Sequence, residues 1–251
     1  MATIVLIPGF WLGAWAWDRV AGPLRAAGHD VLPVTLPGLA ELSDDGPEGI
    51  DQDTHIAAVV DLLVGRDLHD VVLVGHSGGG MTAYGVADRV PDRLARVVFV
   101  DSGPIPDGMA QFDTNEPADQ ERIRQEVKAS GGVAIPVPAF DRDADPVNLA
   151  GLDDADLALL RERGTPEPWG VATGPLRLSN PARFAVPSHL VVSTFPLPVV
   201  EEMIANGHPF FAEFAAAQTR SVHAVPTGHW PMLSAPDELA AVLDTIAQGG
   251  N

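Results

Sequence analysis

Apolar residues along the chain gather into short runs separated by amphipathic stretches. Thr3–Ile7, Val71–Val74, Leu94–Val100 and His189–Thr194 are compact and rich in Val, Ile and Leu, with little polar alternation. Runs of this kind predict strands buried on both faces. Asp30–Val34 and Ser221–Val225 predict two more. Between them lie helical patterns. One runs to about Ala27 and is closed by Gly28; another, Asp51–Gly65, puts Ile56, Val59, Val60, Leu62 and Leu63 on its buried side. Further helices are predicted over about Val199–Ala217, with a break near Gly207-His208-Pro209, and over about Asp237–Ala247 after Pro236. Thr35–Ile50 reads as a polar, Gly/Pro-marked loop. Strand and helix alternate, so the class is α/β: a mostly parallel central sheet with helices on both faces.

Residues 102–187 break this rhythm. They show no clean strand, many prolines, and two helical stretches at about Pro117–Ser130 and Asp153–Arg163. The expectation is a core formed by residues 1–101 and 188–251, with 102–187 inserted as a mainly helical cap. Phe112, Phe140, Leu159, Leu160 and Trp169 are candidates for pocket walls or for packing inside that cap.

The chemistry centres on V-V-L-V-G-H-S-G-G-G-M, Val71–Met81. A strand runs into Gly75-His76-Ser77-Gly78-Gly79, which matches G-x-S-x-G, and Met81 onward has a helical pattern. Strand, sharp turn and helix in that order form the context in which a serine serves as a nucleophile. Glycines allow strand and helix to approach closely around a strained residue. The helix N-terminus then directs N–H groups at negative charge forming beside Ser77. The first strand ends at Pro8-Gly9, so the backbone N–H of Phe10 is the natural second donor to such a charge. Trp15 and Trp17 read as core, whereas Trp11 is a candidate for the pocket lining.

A serine hydroxyl needs a base within hydrogen-bond reach. His229 lies in a Gly-containing loop after the last strand, where loops gather beside the elbow. His76, next to Ser77, should point away from it, and His55 and His69 read as packing or surface residues. The base in turn needs a carboxylate to orient it. Asp101 ends the strand next to the elbow strand, a position from which it can reach the same histidine. Glu201 and Glu202 fall on the helix after the later strand.

Composition narrows the classes. The 251 residues suit one α/β domain with an insertion, and the formal charge of −19 includes a single lysine, Lys128, against 34 acids. Such a surface repels nucleic-acid phosphates and anionic lipids. With no cysteine, disulfides and thiolate chemistry are excluded. No stretch is long enough to span a bilayer. No basic leader precedes the strand at Thr3, so a cytoplasmic protein is expected. No cofactor is expected, and no histidines or acids show metal-ligand spacing.

Pro8–Trp17 (P-G-F-W-L-G-A-W-A-W), Gly75–Gly79 (G-H-S-G-G) and Gly228–Leu239 (G-H-W-P-M-L-S-A-P-D-E-L) together resemble the α/β-hydrolase superfamily. Within it they are similar to the plant methylesterase and hydroxynitrile lyase group and its bacterial esterase relatives. The resemblance covers most of the chain outside the cap. It implies the α/β-hydrolase fold, Ser77 as nucleophile, His229 as base, and the N–H groups of Phe10 and Gly78 as oxyanion hole. Trp11 and Trp230 are the pocket candidates. Three departures stand out. A histidine common in the first motif is Pro8 here, and the family's acid position falls on Pro196, which leaves Asp101 as the replacement. The threonine and lysine on which the lyases depend are Gly9 and Trp230. Ester hydrolysis is therefore expected over cyanohydrin cleavage. The alternatives are a cofactor-free lactone or carbon–carbon bond hydrolase or lyase, and a non-catalytic ligand-binding protein on the same fold. The expected partner is a small-molecule ester, with no nucleic acid or membrane; a homodimer is compatible with the chain.

Overall fold

The computed structural model describes residues 1–44 and 46–250. Six strands form one sheet: β1 (Thr3–Ile7), β2 (Asp30–Pro33), β3 (Val71–His76), β4 (Leu94–Val100), β7 (Ser188–Val192) and β8 (Arg220–Ala224). Their order is β2-β1-β3-β4-β7-β8, and every pairing is parallel. Helices α1 (Asp18–Ala26), α2 (Gln52–Gly65) and α3 (Gly78–Arg89) alternate with the first strands. After β7 come α7 (Leu197–Ala205) and α8 (Ala212–Ala216). After β8 come α9 (Pro231–Ser234) and α10 (Pro236–Ala247).

The unbroken apolar runs follow from this layering. Along β3, Val72 and Val74 enter one core with Val20 and Leu24 of α1 and Leu239, Leu243 and Ile246 of α10. Val71 and Leu73 enter the opposite core with Ile56 and Val59 of α2, Met81 and Val86 of α3, and Val200 of α7. Both faces are covered, so every position of β3 is buried. Each such Val or Leu contributes about 1.5–3 kcal/mol relative to exposure. Trp15 and Trp17 are buried in the first core, as their spacing predicted.

Between β4 and β7 lie α4 (Pro117–Ala129), β5 (Ala134–Ile135), α5 (Asp154–Arg163), β6 (Glu167–Pro168) and α6 (Trp169–Thr173). The two long helices sit where the sequence placed them. A departure is the short antiparallel pair β5–β6, too brief to leave a periodic signal. The expected break near Gly207-His208-Pro209 separates α7 from α8, with Gly207 at φ +67°; the difference is that α7 starts earlier, directly behind Pro196. A proline at the first helical turn and a left-handed glycine past its end are ordinary helix boundaries. Asp51 caps α2 rather than joining it, accepting the Thr54 N–H at 2.8 Å. His55 is buried and donates Nε2–H to the Pro37 carbonyl at 2.9 Å, while His69 is exposed. Among the described residues, no helix is long and apolar enough to cross a membrane.

The sheet meets α3 at its tightest contact. A Cβ added to Gly75 would lie 2.4 Å from the Gly79 carbonyl oxygen and 2.8 Å from the Gly80 Cα; one added to Gly79 would lie 2.3 Å from the Pro8 carbonyl oxygen. All three obstacles are backbone and cannot rotate away. Gly75→Ala should therefore lower stability by about 2 kcal/mol or more, seen as a lower urea midpoint at unchanged slope. Gly22→Ala, where an added methyl meets nothing within 4 Å, should leave the midpoint unchanged or raise it. Equal midpoints for Gly75→Ala and wild type would refute this steric account.

Candidate active site

Ser77 sits between the end of β3 and the first turn of α3 at φ 50°, ψ −125°, a conformation strained for a residue with a Cβ. Neighbouring bonds hold it there. Its N–H donates to the Val100 carbonyl at 3.1 Å, and its own carbonyl accepts the Gly80 N–H at 2.9 Å and the Ser102 hydroxyl at 2.7 Å. Asp101, just beyond β4, is also left-handed at φ 44°. The Asp101 N–H donates to the Val191 carbonyl of β7 at 2.8 Å.

The structure brings Ser77, His229 and Asp101 together. The Ser77 hydroxyl donates to His229 Nε2 at 2.9 Å, and His229 Nδ1–H donates to Asp101 Oδ2 at 2.6 Å. These donor roles follow from the network, since Asp101 accepts only. Burial pushes the Asp101 carboxyl up, but the hydrogen bond and charge of His229 and the N–H groups of Thr194 and Ser193 outweigh it. The net effect holds it below its ordinary value of 3.8. Asp101 Oδ1 accepts both N–H groups at 3.0 Å, and the Thr194 hydroxyl adds bonds of 3.0 and 3.1 Å. The carboxylate is thus fixed by the loop after β7, the same loop that carries Pro196. Glu201 and Glu202 are exposed on α7.

His229 is positioned from below and from the side. His76 points away from Ser77 and donates Nε2–H to the His229 carbonyl at 2.6 Å. Burial, with His229 beside it, pushes His76 down to about 3, so its ring stays neutral. The His229 N–H donates to the Asn148 carbonyl at 2.7 Å and the Gly228 N–H to the Ala150 carbonyl at 3.1 Å. A Cβ on Gly228 would lie 2.3 Å from that Asn148 oxygen.

On the other side of Ser77, the Phe10 ring covers Gly78, where an added Cβ would sit 2.3 Å from the ring. Neither the Phe10 nor the Gly78 N–H has a hydrogen-bond partner among the described residues. Trp11 is half-buried at φ 67° and packs edge-on against Phe10 and Phe140, with ring centroids 6.0 and 6.4 Å apart. Trp230 is only 6% exposed. It packs edge-on against His229 at 5.1 Å and Phe140 at 5.4 Å, so it is a wall behind the imidazole. Phe112 and Trp169 pack on each other at 5.0 Å. Sequence reasoning missed Ser193, Thr194, Asn148 and the role of His76. Ser193 and Thr194 read only as the end of a predicted strand. Among the described residues, no three His, Asp or Glu side chains are placed to hold a metal ion.

A buried carboxylate, an imidazole and a strained serine, linked in series beside two free N–H groups, can activate a hydroxyl and stabilise an oxyanion. The chain is similar to several known proteins. A carbendazim hydrolyzing esterase of Nocardioides sp. (strain SG-4G) is 40% identical over 102 residues, 41% of this chain and 42% of that protein. Methylesterase 7 of Arabidopsis thaliana is 37% identical over 100 residues, 38% of each chain. The match thus spans less than half the length of either relative. An extracellular alpha/beta-hydrolase from a Paenibacillus species superposes with a TM-score of 0.79 at 24% identity, covering 98% of this chain and 99% of its own. A methylesterase from Arabidopsis has a TM-score of 0.69 at 20% identity, covering 99% of this chain and all of its own. The family model described as "Alpha/beta hydrolase family" matches residues 4–242; the chain belongs to that family.

Proposed function

We propose that the protein is a serine esterase that cleaves a small-molecule carboxylic ester through an acyl-enzyme. The observation that carries this reading is the continuous chain Ser77 Oγ–His229 Nε2/Nδ1–Asp101 Oδ2. Ser77 Oγ attacks the ester carbonyl carbon while its proton passes to His229 Nε2. The Phe10 and Gly78 N–H groups receive the negative oxygen. Collapse of the intermediate breaks the bond to the alcohol oxygen, which takes the proton back from His229. Water, activated by the same imidazole, then attacks the acyl carbonyl, releasing the acid and regenerating Ser77. Asp101 stays ionised throughout, fixes the tautomer and offsets charge on the ring. Residues 102–187 act as the cap, with Trp11 lining the acyl or alcohol pocket. The similarity to proteins named esterase and methylesterase supports the reaction class. Gly9 and Trp230 provide neither the hydroxyl nor the cation that a cyanohydrin lyase of this group uses.

A fluorophosphonate should label the protein once, on the peptide that carries Ser77, and abolish hydrolysis of p-nitrophenyl esters. Labelling elsewhere with activity intact would overturn the mechanism. Asp101→Asn should fold normally and lose turnover by about four orders of magnitude, the loss the same change causes in a serine protease when the wrong tautomer results. Glu201→Gln and Glu202→Gln should be nearly silent; wild-type turnover in Asp101→Asn would remove it from the triad. Mandelonitrile should release no cyanide above the uncatalysed rate, and Ser77-dependent release would reverse the preference for hydrolysis.

A further inference from the structure

The loop that carries the Phe10 N–H is closed internally by one long bond, Leu12 N–H to the Gly9 carbonyl at 3.4 Å. Trp11 is left-handed, a conformation costly for a bulky residue unless the surroundings enforce it. The enforcement comes from the cap. The Trp11 N–H donates to Glu167 Oε2 at 3.0 Å, and the Trp11 carbonyl accepts the Thr165 N–H at 2.9 Å. The Thr165 hydroxyl in turn accepts the Ala40 N–H at 2.8 Å. Two residues of Thr165-Pro166-Glu167 therefore grip both sides of one residue in the loop beside Ser77.

Glu167 is an unusual choice for such a grip. It is fully buried, and its Oε1 has no partner among the described residues. It shares a narrow cleft with Phe10, Gly78, Thr82 and His55. We propose that Glu167 is a positioning residue for the oxyanion loop: by holding the Trp11 N–H it fixes the Phe10–Trp11 peptide and so the direction of the Phe10 N–H. The proposal rests on the serine esterase reading above.

The charge state of Glu167 matters because of where it lies. Burial pushes its carboxyl up to about 8, although the Trp11 N–H bond pulls the other way. The titratable group facing it across the cleft is His55, which burial pushes down to about 4 and keeps neutral. The loop contributes Pro8, Gly9 and Phe10, α3 contributes Gly78, Gly79 and Thr82, and β5 contributes Ile135, none of which is charged. A neutral Glu167 accepts the N–H without opposing the oxyanion. Once ionised, it places an uncompensated negative charge near the one that forms on the substrate, in a site where screening is weak.

The test follows hydrolysis of p-nitrophenyl butyrate from pH 6 to 10 by wild type, Glu167→Gln and Glu167→Ala. Wild-type kcat should fall by about tenfold as pH rises through 8. Glu167→Gln, a neutral acceptor of the same shape, should keep kcat within about threefold of wild type at pH 7 and lose the alkaline fall. Glu167→Ala should lower kcat about tenfold or more at every pH with little change in KM. An alkaline fall shared by Glu167→Gln, its absence from wild type, or full kcat in Glu167→Ala would each overturn the proposal. Melting temperatures give a reading that needs no activity. Between 4.5 and about 8 the unfolded chain has released this proton while the folded chain retains it, so stability falls as pH rises across that window and levels off above it. The Tm of Glu167→Gln should therefore gain on wild type from pH 5 to pH 8.5; a constant difference also counts against the proposal. If Ser77→Ala still hydrolyses the ester, the esterase reading fails and the Tm comparison alone tests the charge state.

Discussion

Close backbone contact between a central strand and the helix that follows it governs this molecule. At Gly75 and Gly79 the first turn of α3 lies against the end of β3 and the Pro8 carbonyl with no room for a methyl group. That contact leaves Ser77 no relaxed conformation and pushes it to the end of the sheet. The parallel strands on either side finish at the same edge, so their following loops surround the serine. Phe10 arrives from β1, Asp101 from β4, Thr194 from β7 and His229 from β8. A sheet built of parallel strands collects groups far apart in sequence with no long-range motif to declare it.

Ser77, Asp101 and Trp11, the residue after Phe10, share a left-handed backbone. Each stands directly beside or within the hydrogen-bonded chain. Strain at such positions persists because the surroundings over-determine it. For Ser77 the surroundings are the bonds to Val100, Gly80 and Ser102; for Asp101 they are Val191, Ser193 and Thr194. A stiff site keeps its donors and acceptors aligned before substrate arrives, which is where electrostatic stabilisation of a transition state comes from.

Where chemistry was encoded locally, the sequence was readable. The elbow carries strand, glycines and helix within a dozen positions, and His229 follows a strand in a glycine-marked loop. Asp101 was found because it ends the strand paired with the elbow strand. The hydrogen bonds from Thr194 to that same carboxylate were not legible, because a threonine at the end of a strand has many other uses. Trp230, a pocket candidate next to His229, is buried and packs edge-on against Phe140. Glu167, between two prolines, gave no periodic or motif signal; its surroundings exist only once residues 8–11, 52–55 and 165–168 have met. The start of α7 moved to Leu197 because Pro196 sets the helix entry, while its end falls at the Gly207 break that the sequence marks.

The bonds from Gly228 and His229 to the Ala150 and Asn148 carbonyls have a consequence for traffic through the site. The segment around Asn148 and Ala150 that holds the main chain of the imidazole cannot swing outward without dragging the imidazole with it. Main-chain bonds of this kind tie the loop of the imidazole to residues 148–150, and exchange of amide protons should be slow at Gly228 and His229.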